Sequence, residues 1–157
     1  MAFTNFPNGI TSFGIPVYGG GLGPFGLGMG KLYYVVAAKA STNYYYDLLR
    51  ENGIAPGDIY TSPATAYAAT TAGRNDTVVV FPGAYDLTAT LTWANANTHM
   101  VGLGGPNIGG DYSENNVVIY TDSTDVASVL TVTGQNSQFY NFVVENMGVN
   151  AACLTAA

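Results

Sequence analysis

Apolar and polar positions along the chain alternate in short, punctuated runs. Residues 76–105, "DTVVVFPGAYDLTATLTWANANTHMVGLGG", set four apolar residues in a row, then Pro-Gly, then Thr-rich pieces broken by Asn and Gly. Short β-branched and aromatic runs bounded by turn residues read as strands. The pattern predicts strands at 78–81, 88–93 and 98–103, a loop at 104–116, then strands at 117–121, 127–132 and 138–144. Upstream, "KLYYVVA" (31–37) is a further strand. "STNYYYDLLRENG" carries helix punctuation: Ser41, Thr42 or Asn43 as cap, Leu48 and Leu49 as apolar face, Gly53 as stop. "SPATAYAATTAG" predicts a second short helix, with Ser62 as cap, Pro63 in the first turn and Gly73 as stop.

The strand region repeats. Slid along itself, 76–109 lies over 115–148 without a gap. Val78/Val117, Val79/Val118, Asp86/Asp125, Leu91/Leu130, Thr92/Thr131, Asn97/Asn136, Asn107/Asn146 and Gly109/Gly148 are identical. A fixed period points to stacked units. Three short strands per copy, with apolar positions in step, suit one coil of a three-sided right-handed parallel β-helix, of which about two coils are visible. Successive coils would pair about 4.8 Å apart. Val78 would then stack on Val117, Leu91 on Leu130 and Met100 on Phe139. Asn97 over Asn136 would form an amide ladder. An antiparallel sandwich is the alternative, since it also uses many short strands. "NMGVNAACLTAA" reads as the start of a third coil, with Ala152, Leu154 and Ala156 opening a strand. An open stack exposes unpaired backbone, so the expectation is that the chain continues past Ala157 or that partner chains cover the end.

Three zones follow: an extended arm at 1–30, a lead-in strand with short helices at 31–75, and coils from 76 to 157. The arm holds nine glycines and three prolines yet keeps regular apolar anchors. Disordered tails are poor in aromatics, so these anchors suit docking on another surface. Phe3, Phe6, Phe13, Ile15, Pro16 and Val17 are the candidate partner-binding residues. The other reading is an arm packed on its own domain.

Composition narrows the function. Only 9% of residues are charged, against roughly 25% in an ordinary soluble domain. The net charge is −6, and no Lys or Arg follows Arg74. Nucleic-acid binding needs clustered positive charge, and nothing here supplies it. No apolar run approaches the roughly 20 residues of a membrane span. The N-terminus shows no basic and apolar signal pattern, so synthesis in a cytoplasm without a signal peptide is expected. The one cysteine, Cys153, reads as a small buried residue. With the one histidine, His99, in a strand segment, no Cys/His catalytic pair is indicated.

The helix followed by "GRNDTVVVFPGAY" and a coil ending "VGLGG", over about 63–148, resembles the opening of pectin-lyase-like right-handed β-helices. "FPNGITSFGIPVYGGG" followed by "GKLYYVV", over about 5–36, is similar to the openings of β-helical structural proteins of tailed bacteriophages. The resemblance implies a virion protein on the particle surface: a capsid decoration, head fibre or tail spike. It implies other capsid or tail proteins as partners and a homotrimeric assembly. The alternatives are a polysaccharide depolymerase (tailspike or secreted lyase or hydrolase) acting on host surface polysaccharide, and a non-viral surface or filament protein.

The site chemistry is sparse. The lyases of this resemblance use a basic residue on the outer face, and 75–157 contains no Lys or Arg. Hydrolysis would need two carboxylates. Asp76, Asp86, Asp111, Glu114, Asp122, Asp125 and Glu145 are available, and Asp86 would stack beneath Asp125. Turn residues of this kind also serve local hydrogen bonding. "GGGLGPFGLGMG" has dinucleotide-like glycine spacing, but it follows no buried strand and opens no helix. No catalytic residue, metal site or cofactor is assigned. The tyrosines at 44–46 read as half-buried packing, with a sugar platform as the other reading.

Overall fold

The computed structural model describes residues 10–12, 15–18, 30–104, 116–148 and 152–156. The lead-in places β3 (Leu32–Val35), helix α1 (Tyr44–Glu51), β4 (Ile59–Tyr60) and helix α2 (Pro63–Ala68). Asn43 caps α1, its side chain accepting from the Tyr46 N–H, and Gly53 beyond the end adopts a left-handed φ of 83°. Ser62 caps α2 and Pro63 opens it. That helix ends at Ala68, short of the expected stop at Gly73.

The body is built from β5 (Asp76–Val80), β6 (Gly83–Asp86), β7 (Leu91–Trp93), β8 (Thr98–Gly102), β9 (Val117–Thr121), β10 (Ser128–Val132), β11 (Phe139–Tyr140), β12 (Val143–Asn146) and β13 (Ala152–Ala156). They form three separate sheets. The first has the order β4-β3-β5-β8-β11, the second β6-β9-β12 and the third β7-β10-β13. Every pairing in these sheets is parallel. That excludes the antiparallel sandwich. From β5 to β13 the chain therefore visits the three sheets in the same order three times, with the strand at 152–156 ending the third round where it was expected to open a coil.

Register corrects the repeat. Leu91 does pair with Leu130 and Met100 with Phe139, each at the spacing of the repeat. Val78, however, pairs with Met100 of its own copy, and Val117 pairs with Gly83. Val78 and Val117 are both buried strand residues, but they belong to different sheets. The cause is the connection 103–116 between β8 and β9. Intervals that step over it are long, as from Gly83 to Val117; those that do not are short, as from Val118 to Val143. A connection can lengthen at little cost while the ladder stays fixed. A single slide of the sequence therefore aligns some stacked strands and misaligns others.

Strands β4 and β6 were missed, and one expected strand is two. β6 lies in "PGAYD", where Pro82-Gly83 reads as a turn, and 138–144 divides into β11 and β12 at Asn141, whose φ is 57°. In the arm, β1 (Ile10–Ser12) and β2 (Ile15–Tyr18) form an antiparallel pair where only extended chain was expected. β-branched residues stand on both sides of the short connection, and Pro16 is tolerated in a two-stranded ribbon because each strand is an edge.

The main core fills the space between the sheets: Val35, Val78, Val80, Tyr85, Leu87, Leu91, Trp93, Met100, Val117, Ile119, Val129 and Leu130. A second cluster lies on the outer face of the first sheet, where Val79 and Phe81 pack beneath Leu49 of α1. β5 is thus buried on both faces, which accounts for its unbroken apolar run. Inside the stack, aromatic rings follow one another from Tyr67 to Trp93 (4.3 Å between centroids), Phe139 (5.2 Å) and Phe142 (6.4 Å). The Tyr67 hydroxyl also accepts from the N–H groups of Ala94 and Asn95 at 2.7 and 2.8 Å, fixing the corner after β7 to α2.

Asn97 and Asn136 occupy equivalent corners between the third and first sheets, with φ of 53° and 56°. Among the described residues no amide hydrogen bond joins their side chains. The Asn97 N–H instead donates to the Gln135 carbonyl at 2.9 Å. The repeated Asn answers a left-handed backbone requirement, which Asn tolerates better than other non-glycine residues. At Gly102 the requirement is steric: a Cβ there would overlap the Asn141 carbonyl of the next pass.

Two substitution series separate these causes. Asn136→Gly should leave the unfolding free energy from urea titration within about 0.5 kcal/mol of wild type, whereas Asn136→Ala should lose roughly 1 kcal/mol; equal losses would restore the amide ladder. Gly102→Ala should cost about 2 kcal/mol, the ordinary scale for overpacking.

Candidate functional site

Asp76, at the start of β5, is fully buried. Its Oδ1 accepts from the Lys31 N–H at 2.8 Å and Arg74 Nε at 2.7 Å. Its Oδ2 accepts from the Thr71 N–H and Arg74 Nη2, both at 2.7 Å. Arg74 Nη2 also donates to the Tyr33 hydroxyl at 2.8 Å. Asn75, between the two charged residues, is left-handed with φ of 61°. Its carbonyl packs so closely on Gly30 that no side chain fits there. Burial alone would push the Asp76 carboxyl up, but the Arg74 guanidinium and the two backbone N–H groups outweigh it and hold the group below its ordinary value. A carboxylate saturated in this way is a staple between the lead-in and the first pass. It is not a proton acceptor near neutrality.

The second sheet carries the one ordered row of ionisable side chains on an outer face among the described residues. Val117, Ile119, Tyr85 and Val144 point into or against the core, so the intervening residues point outward. Register aligns Asp86 with Tyr120 and Tyr120 with Glu145. Asp86 and Glu145 thus flank Tyr120 from strands two spacings apart, about 9.6 Å. Asp86 does not stack beneath Asp125, because the strand pairing sets it beside Tyr120, ahead of the turn that holds Asp125. The Asp125 N–H donates to Ser123 Oγ at 3.3 Å, local turn bonding. Asp111 and Glu114 lie outside the described residues.

The last pass carries exposed apolar side chains. Tyr140, Met147 and Leu154 are each about half exposed. β11, β12 and β13 each pair along one edge only. A strand does form at 152–156, as β13, in parallel register with β10. Cys153 stands exposed on it, where burial was expected. Of the tyrosines on α1, Tyr45 packs on Phe81 at 5.1 Å and Tyr46 joins the same cluster, while Tyr44 is 71% exposed.

The structure distributes the expected docking residues unevenly. Phe3, Phe6 and Phe13 lie outside the described residues. Ile15, Pro16 and Val17 fall in β2, with Ile15 opposite Ser12 and Pro16 opposite Thr11. Among the described residues no three His, Cys, Asp or Glu side chains gather as a metal site, and no helix is long and apolar enough to cross a membrane.

No family model, curated protein or solved structure matches the chain. Sequence reasoning missed the Asp76 staple, although "GRND" places Arg74 and Asp76 side by side around a single Asn. It also missed the Asp86–Tyr120–Glu145 row, because that row exists only once the insertion at 103–116 has been placed.

Asp76→Asn should destabilise the protein by roughly 3 kcal/mol at pH 7, the scale for breaking a buried charged pair. The stability that Asp76 contributes is present above the ordinary carboxylate value near 4 and is lost as pH falls through its lowered folded value. The gap between wild type and variant in urea denaturation should therefore narrow below about pH 4. A gap independent of pH would assign the loss to packing.

Proposed function

We propose that the chain is a structural component of a tailed-phage particle, a right-handed parallel β-helix anchored through its N-terminal segment. The carrying observation is the rotation of the chain through three all-parallel sheets, each strand set on the one from the previous pass. That plan suits a shaft or decoration that grows along one axis. Support comes also from the low charge and from the arm, whose β1–β2 ribbon pairs with itself and not with the sheets of the body. In this reading the arm docks on capsid or tail proteins through Phe3, Phe6, Phe13, Ile15, Pro16 and Val17. The body projects at the virion surface as a capsid decoration, head fibre or spike, three copies side by side.

A second reading, a polysaccharide depolymerase, is favoured by the row on the second sheet. Two carboxylates flanking an aromatic ring suit a sugar chain lying across the strands. Their strand separation of about 9.6 Å is close to the upper end of the spacing at which one carboxyl acts as acid and the other activates water.

Quantitative mass spectrometry of purified particles tests the first reading. Many copies per particle indicate a covering or shaft protein and few indicate a spike, while absence from particles rejects the proposal. Deleting residues 2–28 should leave a folded body that no longer joins the particle; normal incorporation would remove the docking role. For the second reading, release of reducing ends from host polysaccharide should fall at least about a hundredfold in Glu145→Gln or Asp86→Asn, the scale of a lost acid or base. No release by the wild type rejects it.

A further inference from the structure

His99, the only histidine of the chain, lies in β8, between β5 and β11 of the first sheet, and is 2% exposed. Thr98 and Met100 on either side of it are buried, and Met100 belongs to the main core. Alternation therefore turns the imidazole to the outer face of the first sheet. Register sets it beside Thr77 of β5, and the next pass sets it against Gln138, the residue before β11. Its Nδ1 accepts from the Gln138 N–H at 3.2 Å. The Gln138 carbonyl in turn accepts from the Met100 N–H at 2.9 Å. The Nε2 atom is buried without a hydrogen-bond partner. A neutral imidazole whose Nδ1 accepts must carry its proton on Nε2. An imidazole acceptor thus binds one of the two main-chain groups by which Gln138 is held to β8.

We propose that His99 is a proton-operated latch between the second and third passes: protonation of Nδ1 sets N–H against N–H, expels Gln138 and loosens β11 from β8. The cation formed has no acceptor at either nitrogen among the described residues. β11 spans only Phe139 and Tyr140, and beyond it the Asn141 side chain donates to the Gly102 and Gly104 carbonyls at 2.9 and 2.7 Å, so the release is local to Gln138 and β11.

Among the described residues, no surrounding charge rescues the protonated form. On β5, Thr77 is neutral, and Asp76 alternates to the opposite face, where Arg74, Lys31 and Thr71 saturate it. The ionisable side chains on the same outer face of β3 and β11 are Tyr34 and Tyr140. The charged side chains of α1, which packs on Val79 of this sheet, are Asp47, Arg50 and Glu51, and Arg50 is engaged with the Ile54 carbonyl. Burial pushes the imidazole below its usual value. The folded state then binds fewer protons than the unfolded one. Stability is full above the ordinary histidine value near 6.5 and declines as pH falls below it.

Because the chain has one histidine, its imidazole nitrogens can be assigned by NMR in the full-length protein without ambiguity. At pH 7.5 the Nε2–H tautomer should be observed. Between pH 7.5 and 5 the exchange protection of the Gln138 amide should fall by up to about tenfold per pH unit below about 6.5, while that of Val79 in β5 holds. His99→Gln, which keeps a side-chain acceptor and does not titrate, should abolish this pH dependence. If that variant fails to fold, the wild-type tautomer and protection profile decide. An Nδ1–H tautomer, or Gln138 protection that does not change with pH, would overturn the latch.

Discussion

A parallel strand cannot be satisfied by its neighbour in sequence. Its N–H and C=O groups need a strand running the same way, and the chain can supply one only after a crossover connection, through α1 between β3 and β4 and through the other two sheets from β5 onward. Everything else in this structure follows from that constraint. The three sheets exist because three strands per pass each need a partner one pass away. The corners must bend the chain without disturbing the ladders, which is why left-handed Asn residues recur at Asn97, Asn136 and Asn141. Where two corners touch, at Gly102 and Asn141, only glycine leaves room.

The same constraint makes the two ends of the stack different. At the first end, the Asp76 carboxylate ties Lys31, Thr71 and Arg74 together, and α2 lays Tyr67 on Trp93. Helix, turn and strand are fixed by charge-assisted bonds and ring packing at one place. At the other end, β11, β12 and β13 are the last strands of their sheets among the described residues, and Tyr140, Met147 and Leu154 stand half exposed beside them. His99 lies between these regimes, its neutral form needed to hold the Gln138 main chain.

Low charge and an ordered outer face pull the functional reading in two directions. A surface of Thr, Asn, Gly and Tyr suits close packing against other proteins, and the separate β1–β2 ribbon suits an anchor. The alignment of Asp86, Tyr120 and Glu145 suits contact with a sugar chain. The two are compatible within one architecture, since a fold defines where residues are displayed and not what they do.

Local chemistry was legible in the sequence. Asn43 and Ser62 cap their helices as their side chains dictate, "KLYYVVA" forms a strand, and β-branched runs form the buried strands. The identities Leu91/Leu130 and Asn97/Asn136 reported truly equivalent positions, because side-chain volume and backbone handedness are set locally and recur wherever the same corner or strand recurs. Partnership was not legible. Whether Val78 lies on Val117 or on Met100 depends on how much chain is spent in the 103–116 connection, and such a connection leaves no periodic trace. Pairing between strands distant in sequence brought Asp86 beside Tyr120, buried His99 against Gln138 and surrounded Asp76 with donors as distant as Lys31. The sequence by itself determined which residues would form strands, caps and corners. Only the tertiary structure decided which of them meet, because a parallel ladder joins residues whose separation along the chain is set by the length of the loops between them.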